Sequence, residues 1–189
     1  MRFLGNQDIC KEGGGVDERK LIQRAKQGDT YAFEQLIHEH RVGAFNLAFR
    51  MLGNRDDADD AAQDAMVKVF KSIGSFREQS KFSTWVYRLT YNVCIDIMRK
   101  QKPGTTTELD ERLVDKSPTP EEELEHNERQ KQIKAAIAAL TPDYRSAIVL
   151  RDVNGHSYDE IAQILGCSVG TVKSRINRGR LKLKEILSE

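Results

Sequence analysis

Apolar residues recur along this chain at intervals of three and four, the period of a helix that turns one side toward a core. Leu21, Ile22 and Ala25 open the pattern after Asp17. Gly28-Asp29 interrupts it, and Asp29 is placed to cap the next helix by accepting from a free backbone N–H. Ala32, Phe33, Leu36, Ile37, Ala44, Phe45, Leu47, Ala48, Met51 and Leu52 predict a long second helix, stopped at Gly53-Asn54. A third, from about Asp56 to Ser72, carries Ala58, Ala61, Ala62, Ala65, Met66, Val69 and Phe70. Ile73 to Lys81 contains Gly74 and several polar residues and reads as a loop. A fourth helix, roughly Ser83 to Lys100, carries Trp85, Val86, Leu89, Val93, Ile97 and Met98.

The pattern changes at Pro103. Residues 103–120 hold three prolines, three consecutive threonines and little that is apolar, as an interdomain linker does. Thr119-Pro120-Glu121-Glu122-Glu123 then combines a cap, a first-turn proline and acids at the positive end of a helix dipole. That helix continues through Leu124, Ile133, Ile137 and Leu140. Thr141-Pro142 begins another, with Ala147, Ile148, Leu150 and Val153 apolar and Asn154-Gly155 at its end. No β-alternating run occurs. The expected fold is all-α: two small helical domains, residues 17–102 and 121–189, joined by a flexible linker at 103–120. A disordered tail, residues 1–16, ending in Gly13-Gly14-Gly15, precedes them.

Composition narrows the function. The 189 residues are 39% hydrophobic and 31% charged, which suits a globular chain. No apolar run approaches the ~20 residues of a membrane span, and Met1 to Asp8 lacks the apolar stretch of a signal peptide, so a cytoplasmic protein is expected. Cys10, Cys94 and Cys167 are too scattered for zinc and read as small packing residues in a reducing compartment. His38 and His40, two apart on a helix, face different ways. No metal, cofactor or small-molecule substrate is expected. Nor is an enzyme, since no Ser/His/Asp arrangement or phosphate loop is present.

Residues 157–183 are the most specific stretch. Ser157-Tyr158-Asp159-Glu160 has the form of a capping box. Ile161, Ala162, Ile164 and Leu165 give an inner face, Gly166 a permissive turn, and Ser168 a cap for a second helix that turns Val172, Ile176 and Leu183 inward. This is a helix-turn-helix. From Gly166 to Lys184 there are six basic residues and no acid. A solvated basic helix end is the plain alternative. With the capped first helix and the glycine turn in register, DNA binding is the preferred reading. At the helix start Thr171, Lys173, Ser174 and Arg175 are placed for base edges, with Arg178 and Arg180 on phosphate, and Ser168, Val169 and Gly170 belong to the same DNA-facing surface.

Two further blocks stand out. Asp56, Asp57, Asp59, Asp60 and Asp64 crowd the start of the third helix. Acids there gain from the dipole, but five carboxylates also repel one another, and a basic partner relieves that cost. From Arg77 to Lys102, basic residues alternate with Phe76, Phe82, Trp85, Tyr87 and Tyr91, a composition suited to single-stranded DNA. Trp85 fits either a core position or a stacking wedge, and Tyr87 is equally open. The formal charge of +1 is thus an average over acidic and basic blocks.

Residues 157–180 resemble region 4.2 of bacterial extracytoplasmic-function sigma factors, and Leu140-Thr141-Pro142-Asp143-Tyr144-Arg145 resembles the start of their region 4.1. Residues 56–64 are similar to region 2.2. Phe76-Arg77-Glu78 and Lys81 to Asn92 are similar to regions 2.3 and 2.4. The resemblance runs in order over about residues 17–187. It implies an alternative sigma factor that binds core RNA polymerase, directs it to promoters and helps open the duplex in a stress or envelope response. Asp56, Asp57, Asp59, Asp60, Gln63 and Asp64 would dock on the β′ coiled coil, and region 4 would meet the β flap. Phe76, Lys81, Phe82 and Ser83 would surround a flipped −10 base. Tyr87, Arg88, Asn92, Asp96, Arg99 and Lys100 would line the adjoining −10 DNA. The helix-turn-helix residues above would read the −35 element. The resemblance also implies an anti-sigma partner, of a kind often anchored in a membrane. The competing reading, a DNA-binding regulator with a helical sensor domain, accounts for the helix-turn-helix but not for the acidic block.

Overall fold

The computed structural model describes residues 17–100 and 120–188, with side chains from residue 129 in the second stretch. The sequence-predicted tail at 1–16 and the linker at 103–120 lie outside the described residues, except for Pro120, which opens a helix. The described residues form eight α-helices and no strand. They are α1 (Glu18–Lys26), α2 (Thr30–Leu52), α3 (Arg55–Ser72), α4 (Phe82–Lys100), α5 (Pro120–Ala139), α6 (Pro142–Ile148), α7 (Tyr158–Leu165) and α8 (Val169–Ile186). A 3-10 turn, Ile73–Ser75, follows α3, and a π turn, Val149–Val153, extends α6.

Local chemistry sets most of the ends. Asp29 accepts from the Ala32 N–H at 3.0 Å and is braced by Arg24 at 2.6 Å. Gly53, with φ 77°, closes α2 in a conformation that a side chain disfavours. The Asn54 carboxamide oxygen then accepts from the Asp56 and Asp57 N–H groups and starts α3. Ser157 and Glu160 complete the capping box of α7: the Ser157 oxygen accepts from Glu160 N–H, and the Glu160 carboxylate accepts from Ser157 N–H. Ser168 caps α8 through Thr171 N–H.

Helices α1 to α4 form the first domain. α3 turns fully buried Ala58, Ala61 and Ala65 inward, so α2 and α4 approach it closely. One apolar cluster joins Leu21, Ile22, Leu36, Val69, Phe76, Phe82, Trp85 and Val86. Trp85 is a core residue, 6% exposed and packed against Phe76 and Phe82. The other cluster continues from Leu47, Met51 and Ala61 across Tyr91, Val93 and Cys94 into Leu140, Ile148, Ile161, Val172 and Ile176 of the second domain. Burial pushes the Cys94 thiol up to about 12, so it stays a protonated packing group.

Arg145 on α6 bridges the same boundary. Its guanidinium donates to the Met51 carbonyl near the end of α2 and to the Ala138 and Leu140 carbonyls at the end of α5. In the second domain α8 lies directly on α6. Gly179 is buried there, and a Cβ added to it would sit 2.8 Å from Ile148 Cγ1, itself 2% exposed.

Gly179→Ala should therefore destabilise the protein despite its better helix propensity. Overpacking costs about 1–3 kcal/mol against a gain of about 0.5–1. The midpoint of urea unfolding should fall, and an unchanged midpoint would show that α6 and α8 can part without cost. The Lys81 ammonium and the Ser157 N–H hold the Glu160 carboxyl down at about 2, below its ordinary 4.5. A depressed carboxyl contributes stability that is complete above the unfolded value and is lost as pH falls through the folded one. Glu160→Gln should thus cost about 1 kcal/mol near neutral pH, discounted because the Lys81 side chain is 75% exposed. The gap to wild type should close as pH falls from 4.5 toward 2, which urea titrations across that window would measure.

Candidate nucleic-acid and protein interfaces

The acidic block forms one outer face of α3. Asp56, Asp59, Asp60, Gln63 and Asp64 are exposed and Asp57 is half-buried, while the alanines behind them are in the core. The pattern follows from helix period alone: every small residue is spent on the inner face, so every carboxylate lies outside. The Asn54 cap fixes where that face begins.

The basic and aromatic block divides into three parts. Phe76 and Phe82 are buried, with ring centroids 5.3 Å apart, and they anchor the two ends of the loop between the 3-10 turn and α4. Between them Glu78 adopts φ 56°, unusual for a residue with a side chain. Its carboxylate accepts from Gln23 Nε2 at 2.8 Å and Lys26 Nζ at 3.3 Å, which ties the loop to α1. A cavity of about 300 Å³ opens beside this loop, lined in part by Phe76, Arg77, Thr84, Trp85, Arg88 and Gln163. Its walls thus combine two aromatic surfaces with polar and cationic edges, the mixture an unstacked base requires.

Of the sequence-predicted residues around that base, only Phe76 lines the cavity. Phe82 is in the core beneath it, and Ser83 is half-buried. Lys81 reaches away to Glu160 on α7, with Nζ 2.9 Å from Oε1. Along α4, Arg88, Asn92, Asp96, Arg99 and Lys100 are exposed, the first four as one stripe. Tyr87 is half-buried. Its hydroxyl accepts from Asn154 Nδ2 at 3.2 Å, and its ring meets His156 edge-on at 4.7 Å. Burial raises the Tyr87 phenol and lowers the His156 imidazole, so both are neutral near pH 7.

In the helix-turn-helix, α7 and α8 pack through Ile161, Ile164, Val172 and Ile176 around Gly166, whose φ is 64°. Ser168, Gly170, Lys173, Ser174, Arg178 and Arg180 are exposed, and Val169, Thr171 and Arg175 are half-buried. Arg175 pairs with Asp143 at 3.0 Å, and Arg180 donates through two N–H groups to Asp152. Arg178 is exposed outside these pairs, and Lys173 lies over the Tyr158 ring, with its ammonium 6.0 Å from the ring centroid. Sequence reasoning gave no role to Thr84 or Asp143, though both stand inside the blocks that carry the resemblance, and missed Gln163 and Asp152, whose partners lie on other helices. Among the described residues no group of His, Cys, Asp and Glu can hold a metal ion, and no helix is long and apolar enough to cross a membrane.

The chain matches the family models for sigma-70 region 2 over residues 36–103 and sigma-70 region 4 over residues 130–183. It is 35% identical over 181 residues to the ECF RNA polymerase sigma factor SigW of Bacillus subtilis, which covers 90% of this chain and 97% of that one. It is 32% identical to the ECF RNA polymerase sigma-E factor of Escherichia coli K12, covering 87% and 91%. Among solved structures it is similar to CnrH in complex with the cytosolic domain of CnrY, at a TM-score of 0.68 and 28% identity, covering 90% and 97%. It is also similar to the sigma factor RpoE bound to the anti-sigma factor NepR from Bartonella quintana, at a TM-score of 0.64 and 28% identity, covering 82% and 96%. The chain belongs to the sigma-70 family, as an alternative sigma factor of the extracytoplasmic-function group that directs transcription initiation.

Proposed function

We propose that this sigma factor divides its work among three surfaces. The α3 face, Asp56 to Asp64, docks on a basic surface of core polymerase, the β′ coiled coil. The loop cavity and the α4 stripe meet the −10 DNA, the cavity taking a base out of the opened strand. The outer face of α8 meets the −35 element, with region 4 held over DNA by the β flap. The polymerase performs the chemistry, and this chain supplies address and strand opening. An anti-sigma factor holding it inactive until a stress signal arrives is the natural partner, and one structural neighbour, the sigma factor RpoE, was solved in complex with an anti-sigma factor.

The observation that carries this reading is the coexistence of an exposed acidic helix face with a basic helix-turn-helix in one chain. A simple DNA-binding regulator has use only for the second. Four exposed carboxylates on one face, with half-buried Asp57 beside them, are tolerable alone but favourable against a basic partner.

Replacing Asp60 and Asp64 by Lys should weaken capture of core polymerase by at least about tenfold, since each reversed charge turns attraction into repulsion. A pull-down with unchanged core affinity would remove α3 from the docking surface. Lys173→Ala with Arg178→Ala should leave that pull-down intact. In gel shifts of the holoenzyme on a promoter selected from genomic DNA, the pair should lower affinity and reduce the salt slope by about one, for the lost phosphate contact of Arg178. An unchanged slope would place these cations off the DNA.

A further inference from the structure

We infer that the seam between α2 and α5 is a binding site for a phosphate group, held by Arg50, Lys134 and Asn46. None of these residues belongs to the polymerase or DNA surfaces assigned above.

Helix period builds the seam. Asn46, Phe49, Arg50 and Gly53 stand at i, i+3, i+4 and i+7 at the end of α2. Lys134, Ile137 and Ala138 stand at i, i+3 and i+4 on α5, so each set shares one helix face. Together they line a cavity of about 60 Å³. A single water needs only ~10–15 Å³, so the space admits one compact polar group.

The chemistry of the cavity is one-sided. Arg50 and Lys134 bring positive charge, Asn46 brings an amide that can donate, and no carboxylate lines the space. Among the described residues, none of these three side chains has a hydrogen bond or an ion pair. The neighbouring cation differs: Arg145 donates to the carbonyls of Met51, Ala138 and Leu140. Those bonds already answer carbonyls at the ends of α2 and α5, so Arg50 and Lys134 are not needed there as caps. Arg50 is exposed as a residue, yet the protein around its guanidinium disfavours the charged form and lowers its pKa below the ordinary arginine value. A cation in that position gains from an anion brought to it. Two cations and one amide match a phosphate, which offers negative charge and several acceptor oxygens at once. Phe49 and Ile137 add an apolar wall on which an organic carrier of that phosphate could rest.

The test uses the full chain. Inorganic phosphate titrated calorimetrically at constant ionic strength should bind once per chain, with a Kd of about 1 mM or below. The thermal midpoint should rise as the site fills. Arg50→Gln and Lys134→Gln should each weaken binding at least about fivefold, the loss of one charged hydrogen-bond donor discounted for exposure. Exclusion of phosphate from protein surfaces stabilises wild type and variants alike, so the difference between them reads the site. Lys173→Ala with Arg178→Ala, on the DNA-facing helix, should leave phosphate affinity unchanged. No saturable binding by the wild type would overturn the site. So would undiminished affinity in Lys134→Gln, which judges the site alone if Arg50→Gln does not fold. Loss of binding in the Lys173 and Arg178 variant would place the anion on α8 and overturn it as well. Adenosine 5′-monophosphate separates the sources. Tighter binding than inorganic phosphate assigns the site to a phosphate on an organic carrier, and weaker binding assigns it to the free ion.

Discussion

The guanidinium of Arg145 is the constraint on which the arrangement of this protein turns. Two helices end near it, α2 at Leu52 and α5 at Ala139, and each leaves carbonyls that no intrahelical N–H can reach. One planar cation answers both, by donating to Met51, Ala138 and Leu140. The negative ends of two helix dipoles favour positive charge at this point, which offsets the burial that lowers the guanidinium pKa. Because Met51 belongs to region 2 and Ala138 to region 4, a solution to two local capping problems also joins the domains. The apolar cluster that runs from Leu47 through Cys94 to Ile176 forms around that junction.

The same economy explains the surfaces. Alanines at α3 and the small Gly179 on α8 let helices pack at close range, so much of each outer face is released from core duty and carries charge. On α3 that charge is acidic, and on α8 it is basic. Some cations of α8 are nevertheless engaged within the molecule: Arg175 by Asp143 and Arg180 by Asp152. The Arg180–Asp152 pair, more than half exposed on its arginine side, contributes little to stability, while half-buried Arg175 is the more constrained of the two.

What could be read beforehand follows from range. Asp29, Ser157 and Ser168 cap helices through bonds to backbone two or three residues away, so their roles are written in neighbouring letters. The alanine spacing of α3 and the Gly166 turn were equally legible, and with them the all-α fold, the acidic face and the helix-turn-helix. Lys81 was legible as a cation beside aromatics. Its partner Glu160 stands 79 positions away, and no periodicity links the two. Phe82 shows the same limit from the other side: an aromatic in a basic block suits a base pocket or a core, and only packing against Phe76, Trp85 and His40 decides for the core. Trp85 is resolved by that packing too. The cavity wall from Gln163 arises between domains and has no signature in either.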